Sequence, residues 1–150
     1  MISNDQVYTY AEIDKLIDAT CTKFENLGLS SGEIISIILK NSIEYVLFYL
    51  AALRMGSIIN PYPYNLGSED VIRYLENVRP KLLFCHKKHY ENLKNYTKSK
   101  VILVDSDFLD KLDGNKKHAD FKPEEKSPAC IYYSSGTTAN PKSVVFSHKN

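Results

Sequence analysis

Residues 32–62 read GEIISIILKNSIEYVLFYLAALRMGSIINPY. The run from Ile34 to Leu39, IISIIL, is short, β-branched and apolar on both faces. That pattern predicts a buried strand of the kind found in parallel sheets. Asn41 and Glu44 stand at capping-box spacing, which predicts a helix opening there. Its body, YVLFYLAAL, is apolar nearly all round, so the helix is expected to be buried on most sides. Met55-Gly56 closes it, Ser57 to Asn60 follows as a short second strand, and PYPYN reads as loop. Strands alternating with helices imply parallel strands joined by crossovers, so the expected class is α/β.

The flanks continue the alternation. Upstream, Thr9 and Glu12 have capping-box spacing, and Ile13, Leu16, Ile17, Thr20, Phe24 and Leu27 recur at helical intervals. Gly28 stands where a left-handed cap is wanted. Downstream, Ser68 is the expected cap of a third helix with Val71, Ile72, Leu75 and Val78 on its inner face, and Pro80 prevents its continuation. Lys81 to Cys85 predicts a strand, residues 88–97 a short helix, Val101 to Val104 a strand, and Phe108 to Leu112 a weak helical turn. The polar stretch 113–128, with two prolines, reads as a surface loop.

Composition narrows the function. The chain has 150 residues, a usual size for one domain, and a net charge of +1 that makes no case for nucleic acid or an anionic membrane. The lysines between Lys87 and Lys100 read as a solvated helix and loop. Cys21, Cys85 and Cys130 are odd in number and widely spaced, which argues for a reducing compartment rather than a disulfide framework. The N-terminus lacks the basic start and apolar core of a signal peptide. Tyr45 to Leu53, the most apolar stretch, falls far short of the about 20 residues that span a bilayer. A cytoplasmic protein with no transmembrane segment is expected. Cys85-His86 with His89 has a vaguely ligand-like spacing but no second ligand cluster, so no metal site is assigned. Tyr62, Tyr64, Tyr132 and Tyr133 are expected in packing and surface roles.

The chemistry gathers in residues 129–150, ACIYYSSGTTANPKSVVFSHKN. An apolar strand, ACIYY, leads into Ser134, Ser135, Gly136, Thr137 and Thr138. Asn140-Pro141 marks a turn, Lys142 closes the loop, and SVVF forms a second strand. Small hydroxyl residues let several donors converge on one anion, and a lysine adds charge suited to polyphosphate. A Walker loop would lead straight into a helix, whereas here a strand follows. On composition alone, an ordinary Ser/Thr-rich hairpin turn fits as well as a phosphate loop.

The order Ser-Ser-Gly-Thr-Thr-x-x-Pro-Lys resembles the phosphate-loop signature of the adenylate-forming (AMP-binding) superfamily, which includes acyl-CoA synthetases of the 4-coumarate–CoA ligase type and peptide-synthetase adenylation domains. The upstream segments YTYAEID, GEIISIIL, NSIEYVLFYLAALRMGSIINPY and VRPKLLFC also resemble that family's N-terminal subdomain in order and spacing. The resemblance implies a ligase that uses ATP and magnesium to activate a small-molecule carboxylate as an acyl-adenylate, then transfers the acyl group to CoA. It implies that Ser134, Ser135, Gly136, Thr137, Thr138 and Lys142 hold the β- and γ-phosphates, and that His148 lies near the acyl and adenylate site. It also implies a largely parallel sheet flanked by helices, ending in a β-hairpin that carries the loop.

The chain departs from the family at Ala139 and Ser143, where glycine is usual. Glycine there would permit positive φ or close approach to phosphate. The family's catalytic chain is several times longer, so 1–150 is expected to be a partial N-terminal adenylation domain, inactive alone, with the CoA site elsewhere. A peptide-synthetase domain, and a truncated module that binds nucleotide or a partner without turnover, remain open as alternatives.

Overall fold

The chain opens with a short antiparallel pair, β1 (Ile2–Ser3) and β2 (Gln6–Val7), which the hydropathy pattern does not signal. The computed structural model describes residues 2–3, 6–96, 98–113, 116–134 and 142–150. Helix α1 (Tyr10–Asn26) starts on the expected capping box. The Glu12 amide donates to Thr9 Oγ1 at 3.2 Å, and the Thr9 amide donates to Glu12 Oε2 at 2.8 Å. Then follow β3 (Ile34–Ile38), α2 (Ile43–Met55), β4 (Ile58–Pro61), α3 (Ser68–Val78), β5 (Leu82–His86), α4 (Lys87–Leu93), β6 (Lys100–Val104), β7 (Pro128–Ser134) and β8 (Lys142–Ser147).

Six of these strands form one sheet in the order β6-β5-β3-β4-β7-β8, parallel except for β8. The expected α/β class and terminal hairpin are both present. β3 lies at the centre, and its side chains alternate between two cores. Ile35 and Ile37 join Leu82, Phe84 and the inner faces of α1 and α2. Ile38 joins Leu83, Cys85, Tyr62 and the inner faces of α3 and α4. That double burial explains why IISIIL has no polar face. Phe48 of α2 anchors the first core, with its ring 4.7 Å from Phe84, 5.1 Å from Phe108 and 5.5 Å from Phe24.

Three local expectations are corrected. Ser42, not Asn41, caps α2: it has the extended backbone a cap needs, and its hydroxyl accepts from the Tyr45 amide at 3.4 Å. Gly67, not Ser68, caps α3, with no side-chain cap bond. Ser68 is already helical, and its Oγ accepts from Asn92 Nδ2 at 3.1 Å, tying α3 to α4. Ile72 is exposed, because Val71 and Leu75 at i and i+4 define the buried line and Ile72 sits about 100° away from it.

The described residues between β6 and β7 form no helix or strand, yet they are fastened to the helices. Arg54 of α2 meets Asp14 at 2.6 Å, Asp18 at 3.1 Å and Asp120 at 3.0 Å, so one guanidinium joins α1, α2 and this strap. His118 Nε2 lies 3.0 Å from Thr22 Oγ1, and the Phe121 amide donates to the Arg54 carbonyl at 2.9 Å.

Two exposed carboxylate pairs contribute to the acid limit of stability. The hydrogen bond and charge of Arg54 hold the Asp14 carboxyl below its ordinary range. Hydrogen bonds from Lys81 and the Ser30 amide do the same for Glu33. The folded pKa values lie below the unfolded ones, so the contribution is complete above about pH 5 and is lost as pH falls through the folded values. The urea midpoint is therefore expected to hold steady between about pH 7 and 5 and to fall below about pH 4. A midpoint that stayed flat to about pH 2.5 would contradict this assignment.

Candidate nucleotide-binding site

In a parallel sheet, ligands gather outside the carboxyl ends of the strands. Here that edge carries Ile38, Pro61, His86, Val104 and Ser134. β8 runs antiparallel to β7, so Lys142 returns to the same edge, directly opposite Ser134 in the register. The two flanks of the hydroxyl-rich loop thus stand where a ligand would be met. Ser135, Gly136, Thr137, Thr138 and Ala139 lie outside the described residues, and Ser134 is placed by its backbone. Lys142 is exposed and makes no ion pair among the described residues. Ser143, the other departure from the family pattern, pairs with Tyr133 in the strand. Among the described residues Arg79 alone has positive φ outside glycine, so serine at 143 meets no left-handed strain.

His148 is not brought to this edge. It follows β8 at the amino end of β7, where its amide donates to the Ser127 carbonyl at 3.0 Å and its ring lies 6.0 Å from Phe121. The six residues of β8 put about 20 Å between it and Lys142, at about 3.3 Å per residue. The structure separates the two residues that the motif sets six positions apart.

On the same carboxyl edge, across β4 from the hairpin, a cleft of about 530 Å³ opens at the ends of β3, β5 and β6, lined by Lys40, Ser42, His86, Lys87 and Asp105 among others. Tyr64 stands near it, with its hydroxyl 3.3 Å from His86 Nδ1 and its ring under Lys40 Nζ at 5.3 Å and Lys88 Nζ at 4.8 Å. Burial, then the charges of Lys40 and Lys87, pushes the His86 pKa down, so its imidazole is neutral at pH 7. A larger groove, about 670 Å³, lies between Gly32, Arg79 and Lys100. That groove is at the amino ends of the strands, remote from the hairpin tip, and volume alone gives it no chemistry.

Two tyrosines bracket β7. Tyr132 reaches Tyr49 of α2, hydroxyl to hydroxyl, at 3.3 Å. Tyr133, on the other face, packs against Tyr74 at 4.3 Å and Tyr62 at 5.7 Å between ring centres. Burial raises the pKa of both Tyr62 and Tyr133, so both remain neutral. Among the described residues no three His, Cys, Asp or Glu side chains come together to hold a metal ion, and no helix is long and apolar enough to cross a membrane.

The AMP-binding enzyme family profile matches residues 1–150. The chain belongs to the AMP-binding enzyme family. Within it, 4-coumarate–CoA ligase 3 of Arabidopsis thaliana is 25% identical over 164 residues, covering 99% of this chain and 28% of the ligase. Nonribosomal peptide synthetase easA of Emericella nidulans is 25% identical over 146 residues, covering 96% of this chain and 2% of the synthetase. The crystal structure of apo MatB from Rhodopseudomonas palustris superposes with a TM-score of 0.83 at 20% identity, over 93% of this chain and 29% of MatB. The chain therefore spans under a third of the length of each of these AMP-binding relatives, and at that identity the MatB likeness speaks for the fold.

Proposed function

We propose that this chain forms the ATP-phosphate-binding part of a carboxylate-activating ligase. The carrying observation is the hairpin: a hydroxyl-rich loop closed by an exposed lysine at the carboxyl edge of a parallel sheet, in a chain of the AMP-binding family. In this reading Ser134, Ser135, Gly136, Thr137 and Thr138 donate hydrogen bonds, and Lys142 supplies charge, to the β- and γ-phosphates. When a small-molecule carboxylate attacks the α-phosphorus, those phosphates leave as pyrophosphate. Donors fixed around the leaving group stabilise its developing charge. Magnesium keeps most of its waters and needs only one or two carboxylates plus phosphate oxygens, so it would arrive on the nucleotide rather than in a protein cage. His148 lies about 20 Å of strand away from Lys142, so a role for it would be on the acyl side rather than at these phosphates.

The acyl acceptor is CoA in the ligase reading and a carrier-protein thiol in the peptide-synthetase reading. The two share the adenylation step, and the match to each relative keeps both in play. A reducing cytoplasmic setting fits the cysteines: Cys21, Cys85 and Cys130 are free and buried, and burial pushes the first two thiols up to about 12.

Calorimetric titration of the chain with magnesium ATP, magnesium pyrophosphate and adenosine tests the reading. ATP and pyrophosphate are expected to bind and to compete, and adenosine to give no heat. Equal affinity for adenosine and ATP, or no binding of either phosphate ligand, would overturn it.

A further inference from the structure

β4 meets β7 at a position where the backbone cannot complete its ladder. The Ile58 amide donates to the Glu33 carbonyl at 2.9 Å and the Tyr62 amide to the Ile37 carbonyl at 2.8 Å, so the even-numbered residues of β4 donate toward β3. Residues 59 and 61 therefore face β7. Residue 61 is proline, which has no amide hydrogen to give. With Ile59 paired to Cys130, an amide at 61 would point at the Ile131 carbonyl. The Asn60 side chain takes that place: Nδ2 donates to the Ile131 carbonyl at 3.0 Å. Its Oδ1 accepts from Ser36 Oγ at 3.0 Å. Ser36 and Asn60 are both fully buried. One amide thus links β3, β4 and β7, with both of its ends satisfied.

We propose that Asn60 is the positioning residue for the carboxyl end of β7, and so for the Ser134–Lys142 rung from which the phosphate loop leaves. This rests on the phosphate-binding reading above. Ile131 lies three residues before Ser134. Beyond the single Ile59–Cys130 pair, the only other strand that pairs with β7 among the described residues is β8, whose Val144, Val145 and Phe146 are themselves exposed. Without the Asn60 bond, a buried carbonyl on β7 and the Ser36 hydroxyl lose their partners, and strand separation becomes the route by which water reaches them.

Hydrogen exchange and magnesium-ATP calorimetry on Asn60→Ala and on Asn60→Ala/Pro61→Ala test the proposal. Asn60→Ala is expected to speed exchange at residues 129–134 about tenfold, leave β3 and β5 unchanged, and weaken ATP binding about tenfold. Adding Pro61→Ala supplies the missing amide and is expected to restore both. Equal acceleration across the whole sheet, or failure of Pro61→Ala to restore β7, would overturn it. If Asn60→Ala alone does not fold, a folded double variant supports the proposal and an unfolded one overturns it. A parent chain that binds no ATP would sink the phosphate reading, while the exchange pattern would still decide whether Asn60 places β7.

Discussion

Lys142→Ala is expected to weaken magnesium-ATP binding by about 10- to 100-fold while leaving the fold intact. Lys142 is exposed and opens β8 at the last rung of the hairpin, opposite Ser134. Its side chain supports no core residue, so the substitution should change stability by less than about 0.5 kcal/mol. Its value lies in charge: a hydrogen bond to an ionised group contributes about 1.5–3 kcal/mol, and each 1.4 kcal/mol is about tenfold in affinity. Lys142→Arg keeps the charge and should retain most of the binding, since a phosphate takes either cation. Calorimetry beside a thermal melt separates the two effects. Unchanged ATP affinity in a folded Lys142→Ala chain would remove this lysine from the site, and with it the reading of the hairpin as a phosphate clamp.

The parts legible in the sequence are those governed by neighbours along the chain. A strand buried on both faces announces itself as IISIIL. The Thr9–Glu12 box predicted the start of α1 because both partners lie within one turn. The terminal hairpin that brings Lys142 opposite Ser134 was readable for the same reason. At α2 the local rule offered two capping residues side by side, and the chain uses Ser42 rather than Asn41. At α3 it offered a serine where the backbone turns at Gly67.

What was not legible depends on direction and on distant partners. His148 sits close to the motif in sequence, but β8 runs away from the tip, so closeness in sequence becomes the length of a strand in space. Asn60 read as the end of a short strand. Its role depends on which edge Pro61 presents and on a carbonyl 71 residues away. The described residues from 116 to 127 form no helix or strand, yet Arg54, Thr22 and Glu25 hold them down through partners about a hundred residues distant or fewer. Polar composition signals solvent contact and says nothing of such fastening.

That fastening gives Gly56 more weight than its place at a helix end would suggest. Gly56→Ala is expected to destabilise the chain by about 3 kcal/mol, against about 1 kcal/mol for Gly28→Ala. Both glycines have left-handed backbone, at φ +69° and +90° respectively, so both substitutions incur the cost of placing a side chain there. At Gly28 an added Cβ meets nothing within 4 Å, whereas at Gly56 it would lie 2.6 Å from the Phe121 ring. The Phe121 ring is partly exposed while its amide is bonded to the Arg54 carbonyl at 2.9 Å, so relief comes by swinging the ring off α2 toward solvent. Pushing the ring out loosens the strap between Asp120 and the foot of the hairpin, where Phe121 meets His148. The excess over Gly28→Ala should therefore shrink in the double variant Gly56→Ala/Phe121→Ala, because residues in contact do not add independently. Urea denaturation of the variants measures both quantities. Equal losses at the two glycines would mean that Phe121 moves freely and that the strap carries no load at α2.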